Sequence, residues 1–554
     1  MRAIFIALAI LAFAAPLWAT DKYVDDDGAA AWGDCGAPAK SGASACSLGT
    51  ANTNASAGDT VFMRAGTYTT AIMPTNAGTD ADNRIVYIAY QSEDATISRT
   101  GTGVSITQTD WIKISGVSVI GTLAGGACCD SGPGDCYNIS WFVQMSLSDY
   151  WWFENMYFEN GSTWEGIHIA NSDYGKLSGS TVIGGLDTGE AIELEAGSNH
   201  NVIEGNTIQD GYHSLLATKD STHTVVRNND FYNQYHNAIS FSNGSTDTLF
   251  EDNTMYDSYG WNAANNCRGT QGDRDMQPYD RDSIEHKSTS GNTMFRGISR
   301  RNIIANSSHG PFGGSYSSLL KIYSNTMYAN WRGYRNNLSF PVGPSDYKNN
   351  IATGSTGYNI DTYMSGGNEM NFTYNIVWGG DKGDKVFWQG AEYADIDAWE
   401  TASSYASNNI QSDPSFTDAA NRDFTLALGS PGIDAGDWLT TVVSGSGTST
   451  QVQLADSAYF YDGWGITGET GDVIKTAAGQ TATITNVDSG NSNITVSVAI
   501  SWVQNEGIAL TYNGSAPDIG YVEYSAAASS TNPPGTISFG GSGTISFGGD
   551  GVMQ

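Results

Sequence analysis

The chain has little positive charge. Its 25 lysines and arginines stand against 58 aspartates and glutamates, a formal balance of −33. Nucleic acid is excluded as a partner, because it needs a basic surface. Histidine (7) and cysteine (6) are scarce, the histidines do not cluster, and no Cys-x-x-Cys pair occurs, which excludes a zinc site of ordinary spacing. After the first twenty residues no apolar run approaches the ~20 needed for a membrane-spanning helix. At the start, Arg2 precedes the apolar run Ala3 to Ala15 and then Pro16-Leu17-Trp18-Ala19. That pattern reads as a secretory signal cut near Ala19, too short and weakly flanked to be a span. With no cysteine at the cut, no lipid anchor is expected. The expected location is extracellular or periplasmic, where cysteines form disulfides rather than bind metal. Cys35 and Cys46 read as one local bridge. Cys128, Cys129, Cys136 and Cys267 leave three pairings open.

What the chain does have is glycine (66) and a repeat. Five segments align: EGIHIANS from Glu165, EAIELEAGS from Glu190, HSLLATKDS from His213, NAISFSNGS from Asn237 and DSIEHKSTS from Asp282. Their first inward positions read as Ile167, Ile192, Leu215, Ile239 and Ile284, spaced 25, 23, 24 and 45 residues apart. The last spacing is one period plus an insertion over WNAANNCRGTQGDRDMQPY. Between these segments run units such as NVIEGNTIQD, TVVRNNDFYN and TLFEDNTMYD, with alternating apolar residues and then Asn. Alternation marks half-buried strands, and Asn and Gly mark bends. Short strands with Asn-bearing turns at this period predict a right-handed parallel β-helix, an all-β solenoid whose coils bury their apolar faces only by stacking. A leucine-rich repeat lacks support: there is no LxxLxL frame and no helical return.

AGDTVFMRAGTY (Ala57 to Tyr68) resembles the first coil of secreted pectate-lyase-like β-helix proteins. SDPSF (Ser412 to Phe416), NRDFTLALGSPGIDAGD (Asn421 to Asp437) and PDIGYVEY (Pro517 to Tyr524) resemble their closing segment. The resemblance implies the fold; the scaffold carries many activities. The expected organisation is a signal peptide (1–19), a β-helix (20–437), a small inserted β-domain (438–516), a closing segment (517–524), and a linker with a twice-repeated GTISFGG tail (525–554). The insert reads as an end-cap or a sugar-binding module. The tail reads as loosely held, or as a segment for surface attachment or self-association.

Residues between inward positions point outward. The expected columns are Glu165/His168/Ala170, Glu190/Glu193/Glu195, His213/Leu216/Thr218, Asn237/Ser240/Ser242 and Asp282/Glu285/Lys287. A solvated polar ladder is the plain alternative. Three carboxylates on one strand repel, so a bound hard cation such as Ca²⁺ would relieve them; the expected ligands are Glu190, Glu193, Asp282 and Glu285. From Arg268 to Arg335 there are ten cations and five acids, a local +5 that would focus an anionic ligand. For an exported β-helix that ligand is an acidic polysaccharide, with Arg281, His213, Asn237 and Arg332 as expected binding residues.

SIEHKSTSGNTMFR (Ser283 to Arg296) is similar to the Glu-x-Lys-Ser…Asn…Arg strand of alginate-lyase-type β-helices. That resemblance implies β-elimination from a uronate, with Lys287 as base, Glu285 as a metal or orienting ligand, and acidic residues holding Ca²⁺. Where the family has an arginine before His-Gly, this chain has Ser308-His309-Gly310, so His309, Arg300 and Arg301 are the candidate proton donors. The rival readings are a non-catalytic surface, adhesive or carbohydrate-binding β-helix, and a glycoside hydrolase using a carboxylate pair. The hydrolase reading lacks an Arg-x-Lys and paired acidic motifs. Trp151, Trp152, Trp164, Tyr212, Tyr235, Tyr256 and Tyr259 are either sugar platforms or core filling.

Overall fold

The computed structural model describes residues 20–525 apart from 37, 123–139, 162–164, 185–189, 211–213, 234–236, 243, 257–281, 288–294, 308–309, 315–317, 337–344 and 363–369; it also describes 537–538 and 544–545. The signal segment, Cys128, Cys129, Cys136, Cys267, the insertion before Asp282 and most of the tail lie outside these residues. Cys35 and Cys46 are bridged.

Strands of three to six residues follow one another around three faces, and each pairs in parallel with its counterpart one coil on. The first face is a 14-stranded sheet, the second a 12-stranded sheet and the third an 8-stranded sheet. A four-stranded sheet beginning at Tyr334–Asn336 packs against Gly310–Gly314, the last strand of the third face, and continues it. This is the expected right-handed parallel β-helix. One apolar cluster runs along its axis, from Val24 through Ile114, Ile192, Ile239 and Ile304 to Trp399. Trp151 fills the interior, while Tyr256 is buried on the outer side of the second face with Ile303 and Phe424 of the closing segment.

Asparagine holds the bend from the first face to the second. Asn206, Asn229, Asn253, Asn302, Asn325, Asn350 and Asn375 are stacked and fully buried. Each donates its backbone N–H and its Nδ2 to the Oδ1 of the next, at 2.9–3.2 Å. Nδ2 also reaches a carbonyl one coil back, as from Asn229 to Ile203 at 2.9 Å. The ladder satisfies polar groups that the bend would otherwise strand in the core. The left-handed backbone falls on the residue before: Asn228, Asp252, Arg301, Ser324, Asn349 and Tyr374 all have φ of 53–57°. The ladder ends at Asn409, which donates its N–H and Nδ2 to Glu400 Oε1, both at 2.8 Å.

Between Thr440 and Leu510 the chain leaves the solenoid and forms a six-stranded antiparallel sheet. Its apolar side shares one cluster with Val202, Val225, Leu249, Ile298 and Tyr323 on the outside of the first face. In the tail, Ile537–Ser538 and Thr544–Ile545, one strand from each GTISFGG copy, pair antiparallel.

Candidate functional site

The charged outer wall of the third face follows from its register. Ile167, Ile192, Leu216, Ile239 and Ile284 are ladder partners. Leu216, not Leu215, therefore holds the expected inward place. Leu215 is also buried, as are Ala191 and Ala238 at the matching positions, because each strand enters with two consecutive inward residues. A one-residue change of anchor moves the whole outward set. Ala217 and Lys219 join the outer columns in place of Leu216 and Thr218. Ser214, not His213, stands between Glu190 and Asn237.

One outer column then runs Gln144, His168, Glu193, Ala217, Ser240 and Glu285. The next runs Ser146, Ala170, Glu195, Lys219, Ser242 and Lys287. The Lys219 ammonium contacts the Glu193 carboxylate and lies 3.5 Å from Glu190. His168 Nε2 and Glu195 Oε1 are 2.9 Å apart. One ligand-type atom each from His168, Glu193 and Glu195 falls within 4.8 Å of the others. Glu190 and Glu193 are buried, while His168, Lys219 and Glu195 are partly exposed. Burial lowers the pKa of Lys219, but Glu193 and Glu190 together outweigh it and hold the ammonium above its ordinary value.

This arrangement alters the expected cation site. The repulsion among Glu190, Glu193 and Glu195 is relieved from within, by Lys219 on the first two and His168 on the third. A Ca²⁺ ion at Glu190 and Glu193 would have to displace that ammonium, so the donor set does not fit the ion as arranged. The other expected ligands, Asp282 and Glu285, lie on the strand Asp282–Lys287 with Lys287; the backbone of this strand is placed, and these side chains lie outside the described residues. The same holds for the Asn237 side chain, and Arg281, His213 and His309 lie wholly outside.

The described cations of the positive window, Arg296, Arg300, Arg301, Lys321 and Arg332, are engaged by acids of the chain itself. Arg300 is fully buried on the first face. It donates from Nε to Glu251 (2.8 Å), from Nη1 to Tyr323 Oη (2.9 Å) and Asp472 (2.8 Å), and from Nη2 to Asp472 (2.6 Å). Burial opposes its charge, but Asp472 and Glu251 raise its pKa well above the usual value. Arg301 holds Asp252 and Glu251. Lys321 binds Asp346 and Asp456. Arg332 pairs with Asp361 at 2.8 Å just ahead of Tyr334–Asn336, and Arg296 pairs with Asp247 at 2.9 Å. Every described cation of the window thus has an internal acid. For Arg300 and Lys321, part of that acid comes from the insert. Arg300 and Arg301 sit on the first sheet, whereas the strand of Lys287 belongs to the third.

Lys219 is the site residue that sequence reasoning passed over; His168 and Glu195 stood in the expected columns, but not as a pair. The signal was present: Lys219 lies three residues after Leu216, as Glu195 does after Ile192 and Lys287 after Ile284. The wrong anchor, Leu215, hid it.

Residues 96–255 match the family model of the right handed beta helix region. No curated protein matches the sequence. Among solved structures, the fold is similar to pectate lyase Pel9A, with TM-score 0.45, 13% identity, and coverage of 91% of this chain and 96% of that one. It is also similar to an alginate lyase from Paenibacillus sp. str. FPU-7, with TM-score 0.36, 14% identity and coverage of 53% and 97%. A third likeness is the periplasmic alginate epimerase AlgG, with TM-score 0.34, 11% identity and coverage of 55% and 74%. At these identities the likeness concerns the fold.

Proposed function

We propose that the outer wall of the third face binds an acidic polysaccharide and cleaves it by β-elimination. The observation that supports this reading most is the column Glu195, Lys219, Ser242, Lys287, which puts two lysines in line with Glu195, with His168, Glu195 and Lys219 partly exposed. Lys219 and Lys287 are two coils apart, roughly 10 Å at the strand spacing.

The chemistry needs three things: a uronate carboxylate neutralised so that the C5 proton becomes acidic, a base to take that proton, and a proton for the departing C4 oxygen. Arg281, the residue before the strand of Lys287, serves the first need in this proposal; Lys219, kept charged by Glu190 and Glu193 two coils away, meets the carboxylate of a neighbouring uronate. Lys287 serves as the base in its neutral form: its amine takes the C5 proton, the C5 electron pair forms the C4=C5 double bond, and the C4–O bond breaks. His309, which follows the strand of Lys287 in the chain, is the proton source; His168, four coils or roughly 19 Å from Lys287, can with Glu195 only contact a flanking sugar. No step needs a metal.

The test is incubation with pectate, alginate and glycosaminoglycans, followed at about 235 nm, where the unsaturated product absorbs. Lys287→Ala should lower the rate by about 10²–10⁴-fold. New reducing ends without that absorbance would replace elimination with hydrolysis. Binding without either product would leave a non-catalytic carbohydrate-binding or adhesive protein. An exported location is part of the same proposal, supported by the Cys35–Cys46 bridge.

A further inference from the structure

A second concavity lies where the insert meets the first face. It is a cleft of about 440 Å³, lined by His223, Asp247 and Arg296 from three successive coils and by Asp462, Trp464 and Asn486 from the insert. That volume is within the ~300–1,000 Å³ typical of small-ligand pockets.

Its walls are fixed relative to each other. On the solenoid side Arg227 holds Glu204 and, with two bonds at 2.6 and 2.7 Å, Glu469 of the insert. Arg300 holds Asp472 in the same way. The two surfaces are therefore joined beside the cleft, and the cleft exists without a ligand to open it.

The Trp464 ring is held by its neighbours. It meets His223 edge-on, with centroids 5.3 Å apart at 82°, and meets Tyr461 at 4.8 Å and 87°. Its backbone N–H donates to Asp462 Oδ1 at 3.0 Å, and Asp462 Oδ2 accepts from the N–H of Val487 at 2.8 Å. His223 is itself the last ring of a stack of five, Trp111, Tyr150, Tyr174, His200 and His223. The indole remains partly exposed in this frame. Opposite, the exposed Arg296 donates Nη2 to Asp247 at 2.9 Å and Nη1 to Ser489 Oγ at 3.2 Å. Those bonds use two of its five N–H donors. Asn486 adds an exposed amide with both donor and acceptor.

Charge selects the ligand class. One guanidinium faces two carboxylates, Asp247 and Asp462, and is already paired with the first, so the cleft offers no free cation to a uronate. A fixed aromatic plate bordered by mixed donors and acceptors suits a ring that has one apolar face and a rim of hydroxyls. We propose that this cleft is a binding subsite for a neutral sugar residue of a glycan, separate from the third face and independent of the chemistry assigned there.

The test is native affinity electrophoresis of the full chain in gels carrying soluble xylan, galactomannan, hydroxyethylcellulose, polygalacturonate or alginate. At least one neutral glycan should retard the protein. Trp464→Ala should weaken that retardation about tenfold in apparent Kd, the loss of one aromatic anchor. Asn486→Ala, on an exposed strand position, should weaken it in the same gel and covers the case in which the tryptophan variant does not fold. Retardation by polyuronates alone, by nothing, or equally by wild type and a folded Trp464→Ala would overturn the proposal. Loss of neutral-glycan binding with elimination intact would remove the cleft alone. Absence of elimination with that binding intact would remove the reading of the third face alone.

Discussion

The first and third faces carry similar charged ladders and use them differently. On the first face Arg227, Arg300, Lys321 and Lys348 meet Glu469, Asp472, Asp456 and Asp437 from the insert and the segment leading into it. On the third face Lys219 is held by acids of its own sheet, while Glu195 and His168 stay open to solvent. The same residue types dock a second layer of chain on the first face and answer acids of their own sheet on the third. There Ser240 and Ser242 are buried as well, and partial exposure is kept at His168, Glu195 and Lys219. Net charge over a window of sequence cannot separate the two cases, because it does not say what lies on top.

The largest effect that would sharpen this contrast is Arg300→Met. It leaves Glu251 and Asp472 buried without their guanidinium, which costs about 3–5 kcal/mol. Denaturant unfolding should show the loss, and limited proteolysis should find the insert released. Replacing Arg300, Glu251 and Asp472 together by apolar residues should recover most of it; failure to recover would mean that the charges do more than dock. Next, Asn302→Ala strands ladder partners above and below and should cost about 1–3 kcal/mol by the same measurement.

The two faces should also separate by pH. Burial raises the Glu204 and Glu251 carboxyls, but Lys176 and Arg227 on the one, and Arg300 and Arg301 on the other, outweigh it and hold both below 4.5. Groups depressed in the folded state add stability above their unfolded value, about 4.3, and lose it as pH falls through the folded value. The first face should therefore weaken in acid. Lys219 is shifted upward from 10.5, so its contribution is complete below that value and is lost as pH rises beyond it. Melting temperature against pH should fall at both ends; Lys321 and the buried Tyr323 and Tyr459 are shifted upward too, so Lys219→Ala should reduce the alkaline part without abolishing it and leave the acid part unchanged. At neutral pH, Lys219→Ala leaves Glu190 and Glu193 buried without their ammonium and should cost about 1–3 kcal/mol, less than Arg300→Met because Lys219 is itself partly exposed, while weakening polyuronate retardation. A loss equal to that of Arg300→Met would place Lys219 with the structural cations and end the contrast.

Much of the fold was legible because a solenoid repeats its reasons. Five inward positions and the recurrent Asn were enough to predict stacked coils, and composition marked the insert. The site was less legible. Leu215 and Leu216 are equally apolar, and only the ladder shows that both face inward with Leu216 in register. Lys219 was lost with that choice. Arg300 and Lys321 looked free because their partners, Asp472 and Asp456, lie more than a hundred residues away in the chain. Proximity across such a gap is a property of docking, which local spacing does not encode.

The asparagine ladder has a direction. Every backbone N–H of the ladder and one hydrogen of every Nδ2 point toward the C-terminal end, so that end would present donors with nothing beyond them, and there the Glu400 carboxylate takes both. A solenoid with bare donors at its tip would be a template on which another chain could continue the stack. Glu400 closes that tip with a negative group that offers no hydrogen onward, so the ladder has a chemical stop as well as a last coil.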